Sequence, residues 1–105
     1  AIHRPCHSGA TRLGAGEIDR LRDAMIRQVE ATNAEDGCLH YSFSRDMRDP
    51  DTLIISERWR DQAAIDAHFG SAHMAEFNKV LATAKALGLS VKAYENGEVR
   101  TLMGE

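Results

Sequence analysis

Cysteine is scarce in this chain of 105 residues: Cys6 and Cys38 are the only two. A small scaffold held by disulfides would need more, so a reducing compartment is expected, with the cytoplasm as the default location. Proline is as rare, with Pro5 and Pro50 alone. No Pro/Gly/Ser-rich linker, internal repeat or low-complexity tract divides the chain. Long hydrophobic runs are missing too. The apolar stretches last only a few residues, which excludes a membrane-spanning helix, and no secretory leader reads at the start. Nor is there a basic excess. Lys and Arg number 13 against 16 Asp and Glu, a formal charge of −3. That sign disfavours nucleic acid and anionic membrane as partners. What is present is ordinary: 43% hydrophobic and 28% charged residues, enough for one globular domain spanning residues 1–105.

The hydrophobic spacing orders the elements. Residues 1 to 13 read weakly as a strand, because neither parity is consistently apolar. From Glu17 to Asn33, Ile18, Leu21, Met25 and Val29 recur three and four apart, which predicts a helix with one apolar face. Asp36-Gly37 is its stop signal. Cys38 to Arg45 alternates as a half-buried strand, with Leu39, Tyr41 and Phe43 on one face and His40, Ser42 and Ser44 on the other. Residues 46–51, with Pro50 as turn former, connect it to a strand from Thr52 to Trp59. There the run Leu53-Ile54-Ile55 suggests burial on both faces. Asp61 caps a short helix through Phe69. Ser71 caps a second helix to about Ala86, with Met74, Phe77, Val80 and Leu81 on one face and Gly88 as terminator. Leu89 to Glu95 reads as a last strand, followed by a turn at Asn96-Gly97 and an extended tail.

The order (β)αββα(α)β predicts an α+β, ferredoxin-like split βαβ with a four-stranded antiparallel sheet. Helices cover one sheet face only. The other face looks too apolar for water, so a homodimer is expected to bury it.

Chemistry concentrates at Glu57-Arg58-Trp59, His68, His73, Met74 and Phe77. The two histidines are five apart, not the four that places zinc ligands on one helical face, so no metal is expected. A helix-end packing role is the simpler reading of His68. A binding role requires both histidines to turn toward the same cavity as Trp59. Tyr41 carries a hydroxyl that needs a partner when buried, making it a candidate pocket group. Phe43 reads as core and Cys38 as an inert buried thiol. No Gly-rich phosphate loop and no CxxC motif occurs. Asp46, Asp49 and Asp51 lack the spacing of a calcium loop. His3, Arg4, Cys6, His7 and Arg12 place polar groups on a first strand that this topology makes central.

The run Glu35-Asp36-Gly37-Cys38-Leu39-His40-Tyr41, followed in order by Arg45-Asp46, Asp49-Pro50, Glu57-Arg58-Trp59-Arg60-Asp61, Ala64, His68, His73-Met74 and Phe77, resembles the antibiotic biosynthesis monooxygenase domain family of the dimeric α/β-barrel superfamily. The resemblance covers about residues 14 to 95. It implies a ferredoxin-like protomer paired sheet to sheet in a dimeric α/β barrel. It also implies oxygenation of an aromatic phenol or quinol by O2 with no cofactor: no metal, flavin or haem. Glu57 to Phe77 is most similar to the quinol monooxygenase branch. That carry-over makes Trp59 a pocket wall and gives His68 or His73 the catalytic role of binding or deprotonating a substrate hydroxyl, with Tyr41, Met74 and Phe77 also lining the substrate site. Two branches fit less well. Ile55 and Ile65 stand where actinorhodin-type enzymes have Asn and Tyr. His68 and Asn78 stand where the haem-degrading branch has Trp and His, and no Asn precedes Asn33.

The function expected is therefore a cofactor-independent monooxygenase of a quinol or other aromatic phenol, its partners being O2, the substrate and a second copy of the chain. Two alternatives stand beside it. One is an isomerase of a small carbonyl compound, phosphorylated if Arg4, Arg45 or Arg58 forms an anion site. The other is a non-catalytic ligand-binding dimer.

Overall fold

A computed structural model describes residues 5–84 and the backbone of residues 86–94. Arg4, the side chain of Tyr94, the Asn96-Gly97 turn and the tail lie outside the described residues. Eight elements follow in chain order: β1 (Cys6–Leu13), α1 (Glu17–Arg20), α2 (Arg22–Asn33), β2 (Cys38–Asp46), β3 (Asp49–Trp59), α3 (Gln62–Phe69), α4 (Ala72–Leu81) and β4 (Ala86–Tyr94). The strands form one antiparallel sheet in the order β2-β3-β1-β4. The α+β, ferredoxin-like reading therefore holds.

The weakly patterned first segment is a strand between β3 and β4. Its neighbours supply the hydrogen bonds that its own sequence did not signal. One row of the sheet runs through Tyr41, Glu57 and His7, and the next same-face rows through Phe43, Ile55 and Gly9, then Arg45, Leu53 and Thr11. This is the helix-covered face, since Tyr41, Leu53, Glu57 and Thr11 are all buried. Leu13, Ile18, Leu21, Met25, Leu53 and Phe77 make one core cluster, and Tyr41, Trp59, Ala64 and Ile65 a second.

Five expectations need correction. The predicted long helix breaks at Leu21, whose φ of −98° and ψ of 7° end α1 and begin α2. Leu39 does not share the core face with Tyr41 but is exposed, because the pairing shifts between Cys38 and His40 and bulges it out. The hairpin connection is only residues 47–48, and Pro50 lies inside β3. α4 stops at Leu81, and Gly88 pairs with Arg12 within β4 instead of ending a helix. Finally, the open sheet face is not an apolar surface among the described residues. Its described rows carry His40, Ser42, Ser44, Ser56, Arg58, Ser8 and Ala10, with Ile54 the one large aliphatic residue among them. The run Leu53-Ile54-Ile55 thus places a single side chain outward. Among the described residues, no helix is long and apolar enough to cross a membrane.

Candidate functional site

Two tight turns bring the site together. The first follows α2, where Glu35 N bonds Thr32 O at 3.0 Å and Cys38 N bonds Glu35 O at 3.2 Å. Gly37 sits there at φ +87°, a left-handed conformation that glycine adopts without penalty. This turn aims the Glu35 carboxylate at α3. The second turn is the Gly70-Ser71 break. Ser71 caps α4 by accepting from Met74 N, while its hydroxyl donates to His68 O at 2.6 Å. Asp61 caps α3 in the same way, accepting from Ala64 N at 2.9 Å.

The break overrides the spacing argument, which holds only along a continuous helix. His68 on the last turn of α3 and His73 on the first turn of α4 end with ring centroids 5.7 Å apart. His68 is 1% exposed. Its ring packs 4.9 Å from Trp59 and 5.6 Å from Tyr41, centroid to centroid. Trp59, Tyr41, His68 and His73 are therefore joined by ring contacts, but a shared binding role requires a common cavity, and neither of the two clefts beside them joins them. Phe77 is buried in the neighbouring core cluster and stacks on Phe43 at 5.6 Å. Met74 joins the set through its sulfur, which accepts from Gln28 Nε2 at 3.3 Å.

Glu35 links the histidines. Its Oε2 accepts from His68 Nδ1 at 2.6 Å and lies 3.2 Å from His73 Nε2. The second approach is off the hydrogen-bond direction, and His73 Nε2 is, among the described residues, a buried polar atom with no hydrogen-bond partner. The other nitrogen of His73, Nδ1, donates to Gln28 Oε1 at 3.0 Å. Gln28 is itself 2% exposed. One donor atom each from Glu35, His68 and His73 lies within 4.8 Å of the others, a set that could hold a metal ion.

Burial raises the Tyr41 phenol well above its ordinary range, and the Glu57 charge adds to this, while a hydrogen bond with Gln28 opposes it. Tyr41 is thus a neutral hydroxyl at any ordinary pH, a donor and not a base. Burial also raises the Cys38 thiol, as its inert reading requires. Trp59 is fully buried, and its Nε1 donates to Glu57 Oε1 at 2.8 Å, with His7 Nδ1 3.2 Å from the same oxygen. The polar residues of the central strand are in this way partly accounted for. The Trp59 indole is thus fixed by a buried carboxylate.

Two clefts adjoin these residues. One of about 240 Å³ lies between α2 and α4, bordered by Gln28, Ala31, His73 and Phe77. The other, about 310 Å³, lies between α2 and the sheet, bordered by Met25, Val29, Phe43, Leu53, Arg22 and Arg45. Neither is lined by Trp59, Tyr41 or His68. His73, with a side chain 27% exposed, is the member of the set that meets a cleft. Of the three arginines that the isomerase reading calls on, Arg4 lies outside the described residues. Arg45 pairs with Asp19, and Arg58 lies on the sheet face away from the helices.

Sequence reasoning missed three of these groups. Glu35 reads in the sequence only as an acidic residue before Asp36-Gly37, and nothing local shows what its carboxylate reaches. Gln28 did carry a signal, an amide three residues after Met25 on the apolar stripe. Glu57 stands beside Trp59 in the sequence, but nothing local marks it as the indole's hydrogen-bond acceptor.

Comparison with known proteins bears on the family and the fold. A sequence profile of the family described as antibiotic biosynthesis monooxygenase matches residues 11–80. An uncharacterized protein of Synechocystis, sll1783, is 32% identical over 74 residues, 70% of this chain and 50% of that protein. Rv0793 of Mycobacterium tuberculosis, named as a candidate monooxygenase, is 40% identical over 53 residues, 50% of this chain and 52% of its own length. The matches thus span about half the length of these curated relatives. Among solved structures, a candidate antibiotic biosynthesis monooxygenase from Deinococcus radiodurans superposes with a TM-score of 0.85 at 29% identity, over 95% of this chain and 99% of that one.

Proposed function

Since this chain belongs to the antibiotic biosynthesis monooxygenase family, we propose that it is a cofactor-independent monooxygenase acting on a quinol or related aromatic phenol. In that reaction the substrate itself supplies the electrons. A hydroquinone and O2 give a hydroxyquinone and water, with one oxygen atom entering the ring and the other leaving as water. The protein needs only to hold the substrate, exclude solvent and favour its anion.

The observation that supports this reading most is the joined set of Tyr41, Trp59, His68 and His73 around Glu35. Gln28 holds the proton of His73 on Nδ1, which leaves Nε2 with a free lone pair. A phenolic hydroxyl reaching Nε2 would transfer its proton there, and Glu35 at 3.2 Å would balance the imidazolium that forms. General-base contributions of this kind are about 10²–10⁴-fold. Tyr41, held neutral, would donate a hydrogen bond to a developing anion. The protomers are proposed to pair as a homodimer through the open sheet face, by polar contacts more than by an oily seam.

The test is oxygen uptake by chelator-treated protein with a panel of hydroquinones. Uptake that falls in His73→Ala and His68→Ala is expected. No uptake with any quinol, or uptake unchanged in both variants, refutes the proposal.

A further inference from the structure

The unpartnered nitrogen of His73 poses a charge problem that a proton or a cation must solve. Its Nδ1 donates to the Gln28 amide oxygen at 3.0 Å, so in the neutral ring Nε2 is a bare lone pair. It faces Glu35 Oε2, another lone-pair group, at 3.2 Å, and no hydrogen bond joins the two. Two acceptors this close repel each other unless a positive centre lies between them. A third donor atom, His68 Nδ1, is 2.6 Å from the same carboxylate oxygen. All three lie within 4.8 Å of one another.

We propose that Glu35 Oε2, His68 Nδ1 and His73 Nε2 form a binding site for a divalent transition cation of the zinc class, the cation replacing the His68 Nδ1 proton that Glu35 accepts, which is released to solvent on binding. Two imidazoles and a carboxylate are the donor set that zinc and its neighbours prefer, and three protein ligands leave a coordination position open. The surroundings have the outer shell that such sites use. The Gln28 amide anchors the far nitrogen of one ligand, which fixes its tautomer with Nε2 toward the ion. The donor atoms lie just beneath the surface: His73 Nε2 is itself buried, while the side chains of His73 and Glu35 are 27% and 18% exposed. The apolar packing of Tyr41 and Trp59 on His68 holds the inner ligand. In the one respect where this inference rests on the monooxygenase reading, the ion takes the lone pair that would accept the substrate proton. Bound metal would then inhibit the metal-free reaction.

The experiment is titration of chelator-stripped full-length protein with Co2+, read by its visible d–d absorption, and then with Zn2+ as competitor. Melting curves with and without each ion supply a second reading. A single ion per chain, displacement of Co2+ by Zn2+ and a higher Tm are expected. Glu35→Gln and His73→Ala should each abolish the absorption, and Gln28→Ala should weaken binding about 10–100-fold. Each variant is titrated at a temperature where circular dichroism shows it folded. The Cys6→Ser/Cys38→Ser protein should bind as the parent does. Binding that survives in the Glu35→Gln/His73→Ala double variant, or that disappears only with the cysteines, overturns the assignment, as does no binding by the parent. Oxygen uptake in chelator is measured separately and decides the monooxygenase reading alone. Either conclusion can therefore fail without the other.

Discussion

Substituting alanine at two glycines tests whether the turn after α2 sets the position of Glu35. Gly16 and Gly37 have nearly the same backbone, φ +79° and φ +87°. Both substitutions therefore carry the left-handed penalty of about 1–2 kcal/mol, less about 0.4–1 kcal/mol recovered from the stiffer unfolded chain. Their surroundings differ. A Cβ on Gly16 meets nothing within 4 Å, whereas one on Gly37 would lie 2.6 Å from Ala64 Cβ and 3.2 Å from Arg60 Nη2. The arginine can move, but the alanine methyl sits on α3 and cannot yield without the helix. Overpacking of this kind costs about 1–3 kcal/mol. In a domain this small each kcal/mol lowers Tm by roughly 4–8 °C. Gly37→Ala should therefore melt on the order of 10 °C below Gly16→Ala in thermal scans by circular dichroism. The clash also has a functional reading. Ala64 and His68 are one helical turn apart, so pushing α3 outward carries His68 away from Glu35, and quinol oxidation should fall in Gly37→Ala only. The double variant Gly37→Ala/Ala64→Gly removes one of the two clashing methyls. It should be more stable than the sum of its single changes by about 1 kcal/mol or more. Equal Tm losses at the two glycines, or strict additivity in that cycle, would show that the turn is not packed on α3 as described.

Four further outcomes are expected. Trp59→Phe removes one of two partners, the other being His7, of a carboxylate that is 9% exposed; stability should fall by about 1–3 kcal/mol in urea unfolding, and Trp59→Phe/Glu57→Gln should recover part of it, whereas no recovery counts against the Trp59–Glu57 bond. Asp61, whose carboxyl is held below its ordinary value chiefly by the Ala64 N–H, contributes stability that is complete above the unfolded value of 3.8 and is lost as pH falls through the lower folded value. Asp61→Asn keeps an N-cap at neutral pH and should flatten the acid end of a Tm-against-pH curve, and an unchanged acid slope contradicts this. Cys38, its thiol raised by burial, should react with iodoacetamide at pH 8 more slowly than free glutathione, and a faster rate would contradict the inert assignment. Light scattering should give the mass of two chains, lost in an Arg58→Glu/Ser56→Glu variant that puts like charges on the open sheet face; a monomeric parent removes the dimer.

Much of the fold was legible because local rules and tertiary structure agree. The stripe Ile18, Leu21, Met25 marked a helical, buried segment even though the helix breaks at Leu21, and the caps Asp61 and Ser71 are where their side chains were expected to bond. Gly37 marks its turn as a glycine-requiring position. Where prediction failed, the deciding partner was distant in sequence. β1 carries His7 because Glu57 on the neighbouring strand receives it. Leu39 faces out because of a register shift that no alternation pattern reveals.

The site divides along the same line. The sequence by itself determined which side chains were chemically able to act: an indole, two imidazoles and a phenol, on elements short enough to bring them close. It could not determine that a carboxylate 33 residues before His68 bonds to it. Nor could it show that a break at Gly70-Ser71 turns two histidines of unfavourable spacing onto one oxygen. Periodicity reports only a residue's own element. A hydrogen bond between elements depends on how the helices pack on the sheet, and that packing is decided by the whole chain at once.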